Sequence, residues 1–133
     1  DAASMDMVRR PDEFDVVVCS NLFGDILTDV GAIVTGSMGL APSANIDPGR
    51  DNPSMFEPVH GSAFDITGEG VANPLATVLS GSLMFEHLGE DAAATALWDA
   101  VAAQLADADA PRTADLGGNA GTEAVATELR DRL

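Results

Sequence analysis

Asp25 and Asp29 stand four residues apart in the run Ser20-Asn21-Leu22-Phe23-Gly24-Asp25-Ile26-Leu27-Thr28-Asp29. On a helix that spacing puts both carboxylates on one face, with Cβ atoms ~5–6 Å apart, where like charges repel by about a few tenths of a kcal/mol. A divalent cation held between them reverses the sign. Mg²⁺ and Mn²⁺ are hard ions that take carboxylate oxygens and keep positions open for a substrate. The plainer reading is that Asp in a first helical turn complements the positive end of the helix dipole.

A second run begins at Glu57-Pro58-Val59-His60-Gly61-Ser62-Ala63 and continues to Asn73-Pro74. Its groups suit a dinucleotide. Gly61, Gly68 and Gly70 permit close backbone approach. His60 can lie against a ring or donate a hydrogen bond, Asp65 can accept from ribose hydroxyls, and Asn73 can meet an adenine edge. No Gly-x-Gly-x-x-Gly follows a strand here, so the run is not the Rossmann fingerprint. Without a ligand it reads as a Gly-rich surface turn closed by Asn73 and Pro74 as a helix N-cap and first residue.

The elements that must position these groups follow from periodicity. Phe14-Asp15-Val16-Val17-Val18-Cys19 predicts a short buried strand, with Cys19 as a small buried hydrophobe. Gly24 then breaks the chain, and Ile26, Val30, Ile33 and Val34 predict a helix over 25–34. A strongly apolar helix is expected over 74–88, stopped by Gly89, with His87 near its C-terminal end as a partner for the dipole. Leu97, Val101 and Leu105 predict a helix over 92–106, in which Trp98 is a packing residue. Thr122 is placed to cap a last helix bearing Val125, Leu129 and Leu133. The mixture is α/β.

Bulk properties exclude several classes. The chain has 133 residues, enough for one modest domain, and a formal net charge of −16 from 22 Asp+Glu against 6 Lys+Arg, every one of the six an Arg. That excess opposes binding to nucleic acid and to anionic membranes. A Lys-free acidic surface is expected of a protein in high salt, where ions screen repulsion over ~3 Å at 1 M. With 46% hydrophobic residues the chain is not an acidic disordered segment. A single cysteine allows no intramolecular disulfide and fits a reducing cytoplasm, and no signal peptide or stretch of membrane-spanning length appears.

The two runs in this order, with Asn73-Pro74 after them and Asp115-Leu116-Gly117-Gly118 near the end, resemble the β-decarboxylating dehydrogenases. That family includes 3-isopropylmalate, isocitrate, homoisocitrate and tartrate/D-malate dehydrogenases. The resemblance implies the C-terminal part of a two-domain, isopropylmalate dehydrogenase-like fold, so that the chain reads as a fragment. Residues 1–36 would belong to a dimer-forming, metal-binding domain and 37–133 to the nucleotide-binding domain. It also implies that Asp25 and Asp29 hold Mg²⁺ or Mn²⁺. Asp1-Ala2-Ala3-Ser4-Met5 matches the family's Val-Asp-Ala-x-x-Met pattern from the Asp onward, which makes Asp1 the third carboxylate, given to the partner subunit's site. Read alone, Asp1 is a solvated first residue.

By the same resemblance His60, Gly61, Ser62, Ala63, Asp65, Ile66 and Asn73 bind the adenosine half of the cofactor. NADP-dependent isocitrate dehydrogenases carry Lys and Tyr where this chain has Asp65 and Ile66. A carboxylate there bonds a ribose 2′-hydroxyl and repels a 2′-phosphate, which points to NAD. Phe64 departs from the Pro that many members carry. The implied activity is oxidative decarboxylation of a 2-hydroxy acid in a homodimer or larger assembly. The acid/base Lys and Tyr, and the Arg residues that grip the substrate, are expected upstream, so this segment alone should not catalyse. Gly117 to Ala124 resembles the isopropylmalate branch of leucine biosynthesis, whereas 42–45 with 53–56 resembles the tartrate/D-malate branch, and 3-isopropylmalate is favoured. A non-catalytic regulatory subunit is the rival from another class, against which the retention of all three Asp argues. An isolated nucleotide-binding module is a second rival.

Overall fold

Asn73, Pro74 and Gly89 frame the helix that buries the most residues, and the computed structural model, which describes residues 1–133, shows how. Helix α3 runs Leu75–Leu88. The Asn73 side-chain oxygen accepts from the Leu75 N–H at 3.0 Å, satisfying one of the donors a helix start leaves free. At the other end Gly89 is left-handed (φ 84), its N–H donates to the Glu86 carbonyl, and the Glu90 N–H donates to the Phe85 carbonyl at 2.9 Å. This is the paired bonding of a Schellman stop. His87 lies in that last turn, as its position predicts, with its ring against Phe56 at a centroid distance of 5.6 Å.

Helix α4, Asp91–Ala106, packs along α3, and the Ser82 hydroxyl crosses between them to the Ala94 carbonyl at 2.8 Å. Helix α5, Thr122–Arg132, closes the group. Leu75, Leu79, Ala100, Val101, Val125 and Leu129 form the buried cluster at their meeting point. Each fully buried Leu or Val there is worth about 1.5–3 kcal/mol over its exposed state. Trp98 on α4 is 52% exposed at the rim of a hollow, and Leu133 lies beyond α5, 63% exposed, so neither is buried in the core.

A two-stranded antiparallel ribbon leans on α3. Strand β1, Pro42–Asn45, pairs with β2, Met55–Pro58, with Pro42 opposite Pro58 and Asn45 opposite Met55. Asp47 organises the connection, accepting from the backbone N–H groups of Gly49 and Asn52 at 3.1 and 2.9 Å.

The N-terminal stretch departs from expectation. Helix α1 spans Ala2–Arg9 and packs on α2, Asn21–Val34. Between them 14–19 forms no strand. Val16 and Val18 are 83% and 93% exposed, and Cys19 is exposed rather than buried. A strand exists only through ladder bonds to a neighbour, and within this chain none lies beside it. Helix α2 begins at Asn21 instead of Asp25 and buries only Ala32. No helix is long and apolar enough to cross a membrane.

Leu129 and Leu133 lie one helical turn apart, one buried and one exposed. In the full-length protein Leu129→Ala should lower unfolding stability by about 2–5 kcal/mol. Leu133→Ala should change it by less than about 0.5 kcal/mol. Urea denaturation distinguishes them, and equal midpoints would contradict this placement of the core.

Candidate active site

Two sites emerge from the residues upward. The first lies on α2. Asp25 and Asp29 are both exposed and share one face of the helix, in its second and third turns rather than its first. Every ion pair in the chain uses another carboxylate, and neither Asp accepts a side-chain hydrogen bond. Both therefore present uncommitted hard oxygen donors. Asp1 is an N-cap, its Oδ1 accepting from the Ala2 N–H at 2.6 Å. The chain does not gather three metal-ligating side chains in one place, so Asp1 and the Asp25/Asp29 pair are not brought together within it.

The second is a cavity of about 640 Å³ bounded by the 60–73 loop, the turn at 37–39 and the turn at 114–115. His60, Gly61, Ser62, Ala63, Ile66 and Asn73 all line it. Asp65 sits beside Ile66 on the short 3-10 turn Phe64–Ile66 but is exposed and does not line the cavity. The loop is locally costly to build. Ala63 enters that turn left-handed (φ 42), which costs an L-residue ~1–2 kcal/mol. Gly68 and Gly70 are left-handed as well, at φ 82 and 67, where a side chain would be strained although the space around them is open. The His60 Nδ1 lies 3.1 Å from the Gly61 carbonyl, so the tautomer donating from Nδ1 leaves Nε2 free as an acceptor.

What holds this loop comes from the far end of the chain. The Thr122 N–H donates to the Gly70 carbonyl at 2.7 Å, and the Thr122 hydroxyl donates to the Ala72 carbonyl at 2.5 Å. Thr122 therefore ties down the loop and does not cap its own helix. A Cβ at Gly121 would stand 2.9 Å from the Gly70 carbonyl oxygen, so the two backbones meet there only because residue 121 is glycine. Asp115 completes the tie. Its Oδ2 accepts from the Ser37 hydroxyl at 2.5 Å and the Asn73 amide at 2.9 Å, and its Oδ1 accepts from the Thr113 hydroxyl at 2.5 Å. Asn73 thus spends its oxygen on Leu75 and one amide hydrogen on Asp115, leaving little of its side chain for an adenine edge. Partial burial pushes the Asp115 carboxyl up, but the bonds from Asn73, Ser37 and Thr113 outweigh it and hold the pKa below its ordinary 3.8.

Ser37, Gly39 and Asp115 line the cavity and Thr122 braces its loop, roles that periodicity and spacing do not find. Asp115-Leu116-Gly117-Gly118 is a visible motif, but nothing local to it says which loop it meets. A second, larger hollow of about 700 Å³ lies between α2 and α4. It is lined mainly by apolar side chains such as Leu27, Ala32, Leu79 and Val101, and lacks the converging polar groups that chemistry requires.

Comparison with known proteins identifies the family. A family profile described as "Isocitrate/isopropylmalate dehydrogenase" matches residues 1–132. The 3-isopropylmalate dehydrogenase of Corynebacterium jeikeium is 56% identical over 119 residues, 88% of this chain and 35% of that protein. The probable tartrate dehydrogenase/decarboxylase of Bacillus subtilis is 48% identical over 133 residues, all of this chain and 37% of that protein. The crystal structure of isocitrate dehydrogenase from Methylococcus capsulatus superposes with a TM-score of 0.91 at 43% identity, covering 99% of this chain and 38% of that one. The chain belongs to the isocitrate/isopropylmalate dehydrogenase family and has the fold of the matching portion of it. It spans little more than a third of the length of the curated relatives it matches.

A carboxyl with a lowered pKa in the folded state contributes stability at pH above its unfolded value and loses that contribution as pH falls through the folded value. In the full-length protein the Asp115 side-chain carboxyl, followed by carbon-detected NMR, should titrate below 3.8. A midpoint at or above that value would contradict the three-donor arrangement.

Proposed function

We propose that this chain is the metal- and nucleotide-carrying portion of an NAD-linked, Mg²⁺- or Mn²⁺-dependent oxidative decarboxylase of a 2-hydroxy acid, with 3-isopropylmalate as the substrate. The single observation that supports it most is the coincidence, in one chain of this family, of an uncommitted Asp25/Asp29 pair and a cavity walled by the His60–Asn73 loop. Residues 1–36 then belong to a dimer-forming domain and 37–133 to the nucleotide domain. The 56% identity to a 3-isopropylmalate dehydrogenase favours that substrate. Tartrate or D-malate is the second reading, favoured by a relative that matches over the whole chain at 48% identity.

Asp25 and Asp29 fit a hard divalent cation by donor type and by the absence of competing partners, with Asp1 completing the site across a homodimer. A cation held there would supply Lewis-acid polarisation of a substrate oxygen and offset negative charge on it. NAD supplies the hydride acceptor. The chain's own part is to hold two carboxylates in a fixed i, i+4 relation on α2. It also offers the loop's backbone, with His60 Nε2, to the adenosine end of the nucleotide. Asp65, exposed beside the cavity, disfavours a 2′-phosphate by charge, so NAD is the cofactor we expect.

The test is turnover of the full-length homodimer with 3-isopropylmalate, D-malate, tartrate and isocitrate, each with NAD and NADP, alongside Mn²⁺ binding by electron paramagnetic resonance. The expected outcome is a preference for NAD with 3-isopropylmalate. In Asp25→Asn, turnover should be lost and Mn²⁺ binding weakened by at least about ten-fold, as loss of a charged ligand worth about 1.4 kcal/mol or more requires. The circular dichroism spectrum should be unchanged. Wild-type Mn²⁺ affinity in that variant would refute the metal assignment, and a preference for NADP would refute the reading of Asp65.

A further inference from the structure

Asp115 lines the same cavity as the His60–Asn73 loop, but both of its carboxylate oxygens are already engaged by groups of the chain itself. What the carboxylate does instead is join parts of the chain that are distant in sequence. Through Oδ2 it bonds Ser37, 78 positions away, and Asn73, 42 positions away, and through Oδ1 it bonds Thr113. All three partners are buried, so each would be left without an acceptor in a poorly solvated place if Asp115 were removed. Packing at this junction leaves no slack. A Cβ on Gly39 would fall 2.7 Å from Asp115 Oδ2, from Asn73 Nδ2 and from Asn73 Cβ. Asn73 in turn holds the first N–H of α3, so the junction also sets where that helix begins relative to the cavity.

We propose that Asp115 is a positioning residue of the nucleotide site, fixing the cavity wall by holding the Ser37–Gly39 turn, Asn73 and the Thr113–Asp115 turn in one register. The inference rests on the nucleotide reading above. Geometry, not charge, is the operative property. Asn at this position keeps one oxygen for Ser37 and Asn73 and turns its amide to the Thr113 hydroxyl, which can rotate to accept. Ala keeps neither.

The experiment uses the full-length enzyme and three variants, Asp115→Ala, Asp115→Asn and Gly39→Ala, the last breaking the same junction from the other side. NAD affinity is measured by calorimetry, and the KM values for NAD and the 2-hydroxy acid are measured with kcat. Asp115→Ala and Gly39→Ala should each weaken NAD binding and raise its KM by about ten-fold. The kcat at saturating NAD and the KM for the hydroxy acid should stay within about two-fold, and Asp115→Asn should restore NAD affinity to within about three-fold of wild type. Wild-type NAD affinity in Asp115→Ala, a fall in kcat with KM for NAD unmoved, or an Asn variant as impaired as the Ala variant would each overturn the proposal. Amide exchange in the nucleotide-free protein separates the two readings. Faster exchange at 38–40 and 73–75 in Asp115→Ala, with a wild type that binds neither NAD nor NADP, would support the junction and refute the nucleotide reading. Unchanged exchange there, with a wild type that binds NAD, would refute the junction alone.

Discussion

The carboxylate of Asp115 and the N–H and hydroxyl of Thr122 together carry a constraint on which the rest of the cavity depends. The 60–73 loop contains glycines at 61, 68 and 70 and an alanine forced left-handed at 63, so it has little internal reason to hold one shape. It is held from outside, at Gly70 and Ala72 by Thr122 and at Asn73 by Asp115. The segment that does this is itself rigid. A Cβ at Gly118 would lie 2.0 Å from the Arg112 carbonyl oxygen, and the Ala120 N–H donates to that same oxygen at 2.9 Å. Helices α4 and α5 then anchor it through the Val101–Val125–Leu129 cluster. The core therefore reaches the site through a chain of backbone contacts and one carboxylate.

The N-terminal half is organised differently. Helix α2 carries Leu22, Phe23, Ile26 and Ile33 on its surface, all more than half exposed, and the three valines before it have no strand to pair with. Such a surface fits a segment whose partners lie elsewhere in a longer protein or in a second subunit. The acidic pair on α2 shares this surface with apolar side chains. That combination is what the proposed dimer and metal site would require of α2.

How much of this was legible in the sequence differs by element. Helices α3, α4 and α5 were legible because their apolar spacing and the Asn73-Pro74 and Gly89 boundaries agree. The strand expected over 14–19 failed because an apolar run states only a preference, and a ladder needs a neighbour. The β1–β2 ribbon was hidden by prolines at 42 and 58 and by the lack of strict alternation. At the site, six of the seven residues read as cofactor ligands lie around one cavity, because they belong to one loop that wraps it, while the Asp65 side chain stands off it. Ser37, Gly39 and Asp115 were illegible because their roles exist only after folding brings turns 78 residues apart into hydrogen-bond contact.

The central claim is that a dinucleotide occupies the cavity behind the Asp115 junction rather than the larger apolar hollow between α2 and α4. Hydrogen exchange of the full-length protein, with and without saturating NAD, tests it most directly. Protection should appear at 60–63 and 70–73 and be absent from the faces of α2 and α4 that line the hollow. Protection confined to α2 and α4, with the loop exchanging as it does in the nucleotide-free protein, would contradict the account.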